Sequence, residues 1–123
     1  MKKESKFWQL VKKNTPKIEW TRLESWSSYG VPDLLGYHDS CGFFMCELKI
    51  QTGNKIHFSP HQRMFHITRT NRNFILVQEA SSRSVKLYPS SAIHDLQLGV
   101  ARCLALDDWE HIERLLLDAP LDA

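Results

Sequence analysis

The eight residues Phe43-Phe44-Met45-Cys46-Glu47-Leu48-Lys49-Ile50 constrain this chain more than any other stretch. Side chains alternate across a strand, so Phe44, Cys46, Leu48 and Ile50 share one face and Phe43, Met45, Glu47 and Lys49 the other. The strand is apolar on both faces at its start. Its second half then sets a carboxylate and an ammonium on one face, roughly 7 Å apart. Charged groups are rarely buried without partners. The plain reading is a strand emerging into solvent with an incidental Glu–Lys pair, which contributes little. The functional reading needs further residues to converge on the same spot.

One such residue stands upstream. Gly30-Val31-Pro32-Asp33-Leu34-Leu35 puts a lone acid at the head of an apolar strand running from Val31 to Tyr37. His38-Asp39-Ser40-Cys41-Gly42 reads as a hairpin turn joining it to the strand Phe43–Ile50. Adjacent strands lie about 5 Å apart, so Asp33 and Glu47 can meet. Two carboxylates suit a hard divalent cation such as Mg²⁺. Turn chemistry alone also accounts for Pro32-Asp33, since both residues favour turns. Gly30 supplies a backbone conformation closed to bulkier residues.

The remaining pattern frames that hairpin. Glu4 to Lys13 carries Phe7, Trp8, Leu10 and Val11 on a helical stripe, ended by Asn14-Thr15-Pro16. Ile18 to Glu24 alternates as a half-exposed strand. Gln51 to Phe58, with Gly53-Asn54, reads as loop. Ser59-Pro60 starts a helix to about Thr70, because serine caps well and proline suits the first turn. Phe74–Glu79 and Val85–Tyr88 are short strands. From Pro89 the chain is helical or irregular, ending in an amphipathic helix from Asp107 to about Asp118 capped by Asp107 or Asp108. The expected fold is α/β, a mixed sheet flanked by helices in the order α-β-β-β-α-β.

Length and composition set outer bounds. A chain of 123 residues is expected to form a single domain over 1–123. Its apolar and charged shares, 42% and 24%, are those of ordinary globular proteins. No stretch reaches the roughly 18–20 apolar residues of a membrane span, and the apolar patch after Met1-Lys2-Lys3 is too short for a signal peptide. A cytoplasmic location, in a bacterium or a phage-infected cell, is the expectation. Three cysteines without a C-x-x-C pair argue against a disulfide framework and a structural zinc site. Residues 107–123 hold six acids and one base, so the other 15 bases and 8 acids leave residues 1–106 at +7. A basic body permits nucleic acid as a partner.

Pro32-Asp33, thirteen residues, then Glu47-Leu48-Lys49 resembles the PD-(D/E)-x-K nuclease signature. With Arg22-x-Glu24, Gly30-x-Pro32-Asp33-Leu34 and Ser59-Pro60-x-Gln62, the pattern is similar to VRR-NUC-type nucleases and to the archaeal and phage Holliday junction resolvase-like branch. The match spans about residues 20–65. It implies a compact restriction-endonuclease-like core in which Asp33, Glu47, the Leu48 backbone carbonyl and Glu24 hold Mg²⁺, with Mn²⁺ able to substitute. It implies that Lys49 orients the attacking water and stabilises charge on the phosphate, and that Gln62 faces the site. Gln62 is also three residues after Ser59, the spacing of a capping box. The implied activity is DNA phosphodiester hydrolysis leaving 5′-phosphate and 3′-hydroxyl ends, on branched DNA such as a four-way junction, by a homodimer without a nucleotide cofactor. Kept beside it are a VRR-NUC-type nicking or repair nuclease without junction preference, a non-catalytic DNA-binding module of the same fold, and an RNA-directed nuclease.

Other candidates carry less. The six histidines assemble no tetrahedral ligand set: the helix start separates His57 from His61, and His61 and His66 are five apart. His61 or His66 can lie near the phosphate. Lys55, Arg63, Arg69 and Arg72 are the candidate phosphate contacts near the site, and Trp26 and Tyr29 are loop aromatics able to stack on bases. Leu115, Leu116 and Leu117 in the acidic helix serve either dimerisation or the core.

Overall fold

A computed structural model describes residues 3–23, 29–54 and 56–118. Helix α1 (Lys3–Asn14) leads into β1 (Glu19–Arg22), β2 (Leu34–His38) and β3 (Gly42–Gln51). Helix α2 (Pro60–Thr68) then crosses to β4 (Asn73–Glu79), which is followed by β5 (Val85–Pro89). A 3₁₀ turn (Ser90–Ala92), α3 (Ile93–Leu98), β6 (Ala105–Leu106) and α4 (Trp109–Leu117) complete the described chain. The six strands form one sheet in chain order, antiparallel throughout except for the β3–β4 pair, which is parallel. A parallel neighbour needs a crossover, and α2 provides it.

Each sheet face has its own apolar layer. Phe44, Cys46 and Leu48 of β3 pack with Leu34, Leu76 and Leu87 under Phe7 and Val11 of α1 and Ile112 and Leu116 of α4. Ile75, Val77 and Tyr88 pack on the opposite face with Ile56, Phe58, Ile93 and Leu96, beside α2 and α3. By alternation Glu47 and Lys49 project into this second layer. So β3 does not simply run out into solvent at its charged end. Glu47 is 1% exposed.

The α/β class and the expected α-β-β-β-α-β order hold, with three differences. First, β2 starts at Leu34 rather than Val31. Pro32 has no N–H to offer a ladder, and it is the Asp33 side chain that takes the Leu48 N–H, at 2.8 Å. Second, the stretch after Pro89, expected to be helical or irregular, contains the defined elements α3 and β6. The N-cap of α3 is Ala92, which provides no side-chain cap bond, and β6 is two residues long. Third, Asp108 alone caps α4, accepting from the His111 N–H at 3.0 Å. Asp107 instead accepts from the Val85 N–H and the Ser84 hydroxyl. Of the two roles expected for the α4 leucines, the core role is the one seen: Leu116 is fully buried and Leu115 and Leu117 pack against the core. Among the described residues no helix is long and apolar enough to cross a membrane.

Candidate active site

The β2–β3 register pairs Leu34 with Cys46. One step further along the same register sets Asp33 opposite Glu47. Opposed antiparallel residues have Cα atoms about 4.5–5.5 Å apart, and the two carboxyl groups are close enough to hydrogen-bond once a proton lies between them. Leu48 gives its N–H to Asp33 Oδ2. A strand residue turns its N–H and C=O to the same side, so the Leu48 carbonyl also faces past the end of β2, beside Asp33.

Helix α2 closes over this pair through Gln62. Its Oε1 accepts from the Ser59 N–H at 3.0 Å and from Lys49 Nζ at 2.9 Å. Its Nε2 donates to Glu47 Oε2 at 3.3 Å. The Gln62 N–H in turn donates to Ser59 Oγ, completing the capping box. The two expectations for Gln62 are therefore compatible: one amide caps the helix and ties Glu47 to Lys49. The amide orientation follows from the network, since a flipped NH₂ would face an ammonium and a backbone N–H. Lys49 Nζ also lies 4.9 Å from the centroid of the Phe58 ring, a favourable cation–π distance.

Gly30 sets the distance between the Asp33 loop and α2. Its φ is +80°, and a Cβ there would lie 2.2 Å from the His61 carbonyl oxygen and 2.7 Å from the Gln62 nitrogen. Backbone blocks backbone, so no rotamer change relieves the contact. Gly30→Ala is expected to lower stability by at least about 2 kcal/mol, from left-handed strain plus this overlap. Urea unfolding reads it; an unchanged midpoint would refute the close approach.

The electrostatics of the pair are lopsided. Burial, then the neighbouring Glu47 carboxylate, pushes the Asp33 carboxyl up to about 8, against the lowering effect of the Leu48 N–H and Lys49. At neutral pH without a cation the two acids resist carrying two full charges. A divalent cation removes that conflict, so the donor set fits a hard metal ion. Among the described residues, no group of three or more His, Cys, Asp or Glu side chains gathers tightly enough to hold an ion unaided. Two carboxylates, a carbonyl and waters are an ordinary Mg²⁺ shell.

Of the two histidines expected to be able to lie near the phosphate, His66 is the one that reaches Glu47. It is fully buried, one helical turn after Gln62, with Nε2 3.6 Å from Glu47 Oε1. Ser90 Oγ donates its single proton to the His66 carbonyl at 3.0 Å. It must therefore accept at 2.7 Å from His66 Nδ1, which carries the ring proton. Burial, then the Lys49 charge, lowers the ring to about 4, so it is neutral and Nε2 holds a lone pair. Nε2 has no hydrogen-bond partner among the described residues. The i, i+4 spacing of Gln62 and His66 was the available sequence signal.

Glu24, Lys55 and Trp26 lie outside the described residues. Arg63 and Arg69 are exposed on or next to α2, and Arg69 lies over the Phe65 ring at 4.5 Å. Arg72 departs from the expected solvent-facing contact: its Nε and Nη2 are buried. Its φ of +56° turns the chain into β4, and its guanidinium lies beside Gly42. Tyr29 is 68% exposed, and His61 is exposed on the first turn of α2. No protein-family model, curated protein or solved structure matches the chain.

Proposed function

We propose that this chain is a metal-dependent DNA endonuclease of the PD-(D/E)-x-K type, with branched DNA such as a four-way junction as its preferred substrate. The observation that carries the reading is the convergence of Asp33, Glu47, Lys49 and Gln62 on one spot, linked at 2.9 and 3.3 Å through the Gln62 amide. A binding module has no need of two acids facing phosphate.

Asp33, Glu47 and the Leu48 carbonyl would hold Mg²⁺, or Mn²⁺ in its place, with Glu24 as the upstream acid. When bound, the cation supplies water acidification at neutral pH and charge neutralisation on the phosphoryl oxygens. Lys49 presents its ammonium to the phosphate and to the attacking water. Phe58 and the Gln62 carbonyl fix where that ammonium sits, so little reorganisation is needed as charge develops. Arg63, Arg69 and Lys55 would hold the flanking backbone, a contribution that weakens with salt. A homodimer would cut two strands symmetrically.

The test is Mg²⁺-dependent cleavage of a labelled four-way junction beside its linear arms, with Asp33→Asn as control. The expected result is junction cleavage by the wild type and none by the variant. Equal rates on linear duplex would replace the junction preference with a general nicking activity. Cleavage of RNA alone would redirect the substrate, and binding without cleavage would leave a DNA-binding module.

A further inference from the structure

The sheet face that carries Glu47 opens toward the β2–β3 turn. Cross-strand rows follow one another along it: Tyr37 with Phe43, Leu35 with Met45, and one step past the paired residues Asp33 with Glu47. Alternation places all six side chains on the same face. Glu47 is 1% exposed and Phe43 is 62% exposed, with Leu35, Tyr37 and Met45 half-buried between those limits. The Tyr37 and Phe43 rings have centroids 4.7 Å apart and planes inclined at 52°. Cross-strand pairing accounts for their contact. It does not account for leaving the Phe43 ring mostly in water, where it forfeits the burial that makes an aromatic side chain stabilising. Four strand rises separate Phe43 from Glu47, about 13 Å. That is about four steps of a stacked nucleic-acid strand at roughly 3.4 Å each.

Charge is distributed unevenly around these rows. On the outer side Glu19 pairs with Tyr37, and Asp39 accepts from the Tyr37 hydroxyl at 3.0 Å. Both acids repel phosphate from the rim of the hairpin. On the inner side Asn73, which pairs with Met45, donates to the Arg69 carbonyl at 2.9 Å. The end of α2 therefore borders the Met45 row, and it carries the exposed Arg69 guanidinium over the Phe65 ring.

We infer that Tyr37 and Phe43 are a stacking platform for an unpaired nucleobase of DNA, within about four nucleotides of the phosphate at the Asp33–Glu47 pair, with the strand's phosphates turned toward Arg69. This deepens the nuclease reading and rests on it for the position of the cut, though stacking itself needs no cleavage. Base faces are covered inside a duplex and become free where pairing stops, as at a branch or flap. The platform thus selects DNA whose pairing is broken beside the scissile phosphate.

Equilibrium binding of the whole chain in EDTA, where no strand is cut, tests the assignment. The probes are a labelled splayed-arm DNA and a plain duplex of equal length. Phe43→Ala is expected to weaken splayed-arm binding roughly 5–100-fold, the range for one lost base–aromatic stack. Duplex binding should change less than about twofold, because phosphate contacts carry it. Phe43→Trp should keep the wild-type affinity. Phe43→Leu, which is apolar but has no π face, should fall with the alanine variant. Equal losses on the two DNAs, no loss on either, or full affinity in Phe43→Leu overturns the platform. So does sedimentation showing a wild-type dimer that Phe43→Ala turns into monomer, which would give this face to a second copy of the chain. Selective loss of splayed-arm binding, with no cleavage of any DNA by the wild type, would remove the nuclease reading and leave the platform standing. Unchanged affinity and cleavage in Phe43→Ala would do the reverse.

Discussion

Lys49→Ala is expected to slow single-turnover DNA cleavage roughly 10²–10³-fold, the usual loss when one preorganised charge donor is removed from a reacting oxygen. The local geometry makes this change clean. Lys49 Nζ bonds only the Gln62 carbonyl among the described side chains, at 2.9 Å, and rests over Phe58. Ser59 still donates to the same Gln62 oxygen, so the helix cap and the Gln62–Glu47 bond survive. Folding stability should change by about 1 kcal/mol or less, the scale of one exposed or half-buried cation contact. The measurement is a rate under saturating Mg²⁺ with enzyme in excess, beside a thermal melt of the same preparation. A variant within threefold of wild type would withdraw Lys49 from the chemistry.

Asp33→Asn should do two opposite things: abolish cleavage and stabilise the metal-free protein at alkaline pH. In the folded state the Asp33 carboxyl is raised to about 8 from its ordinary 3.8. A raised acid holds its proton more tightly when folded, so its favourable contribution is complete below about pH 4 and is lost as pH rises through about 8. Each pKa unit is about 1.4 kcal/mol at most, and relaxation with water entry brings the expected gain to roughly 1–3 kcal/mol. Asparagine resembles the protonated acid in shape. Its oxygen can still accept from Leu48, and its amide can donate to Glu47. Melts in EDTA from pH 5 to 9 should therefore coincide at the acid end and separate by several degrees at the alkaline end. Mg²⁺ should raise the wild type alone. Parallel curves across that range would mean that Asp33 and Glu47 do not compete for one proton.

The site is centred on Glu47. Its neighbours are Asp33, immediately before β2, Gln62 and His66 from α2, and through Gln62 also Lys49. A buried carboxylate with so many neighbours is a poor contributor to stability, yet it occupies the middle of the sheet. That is where local rules are expected to yield to function.

Much of this arrangement was legible from residue order. The period of two put Glu47 and Lys49 on one face of β3. The hairpin between Asp33 and Glu47 brought the acids level, because short turns leave few registers open. Ser59, Pro60 and Gln62 announced both the start of α2 and its direction, and Asn14-Thr15-Pro16 marked the end of α1. These are interactions over one or two elements, where chain connectivity supplies the geometry.

What residue order could not supply came from elements far apart in the chain. Ser90 sets the His66 tautomer across 24 positions, and that needs α2 to cross over and β5 to return beside it. Arg72 turned inward because β4 must start beside Met45, whose N–H donates to the Arg72 carbonyl at 3.0 Å. Asp107 left the α4 cap once β5 and β6 paired and offered it the Val85 N–H. Gly30 announced an unusual backbone, but only the packed fold disclosed that the His61 carbonyl fills the space of its missing side chain. Local pattern decides which face a residue takes, because backbone periodicity is a property of a few neighbours. Which partner waits on that face is decided by the packing of whole layers, and no window of sequence contains it.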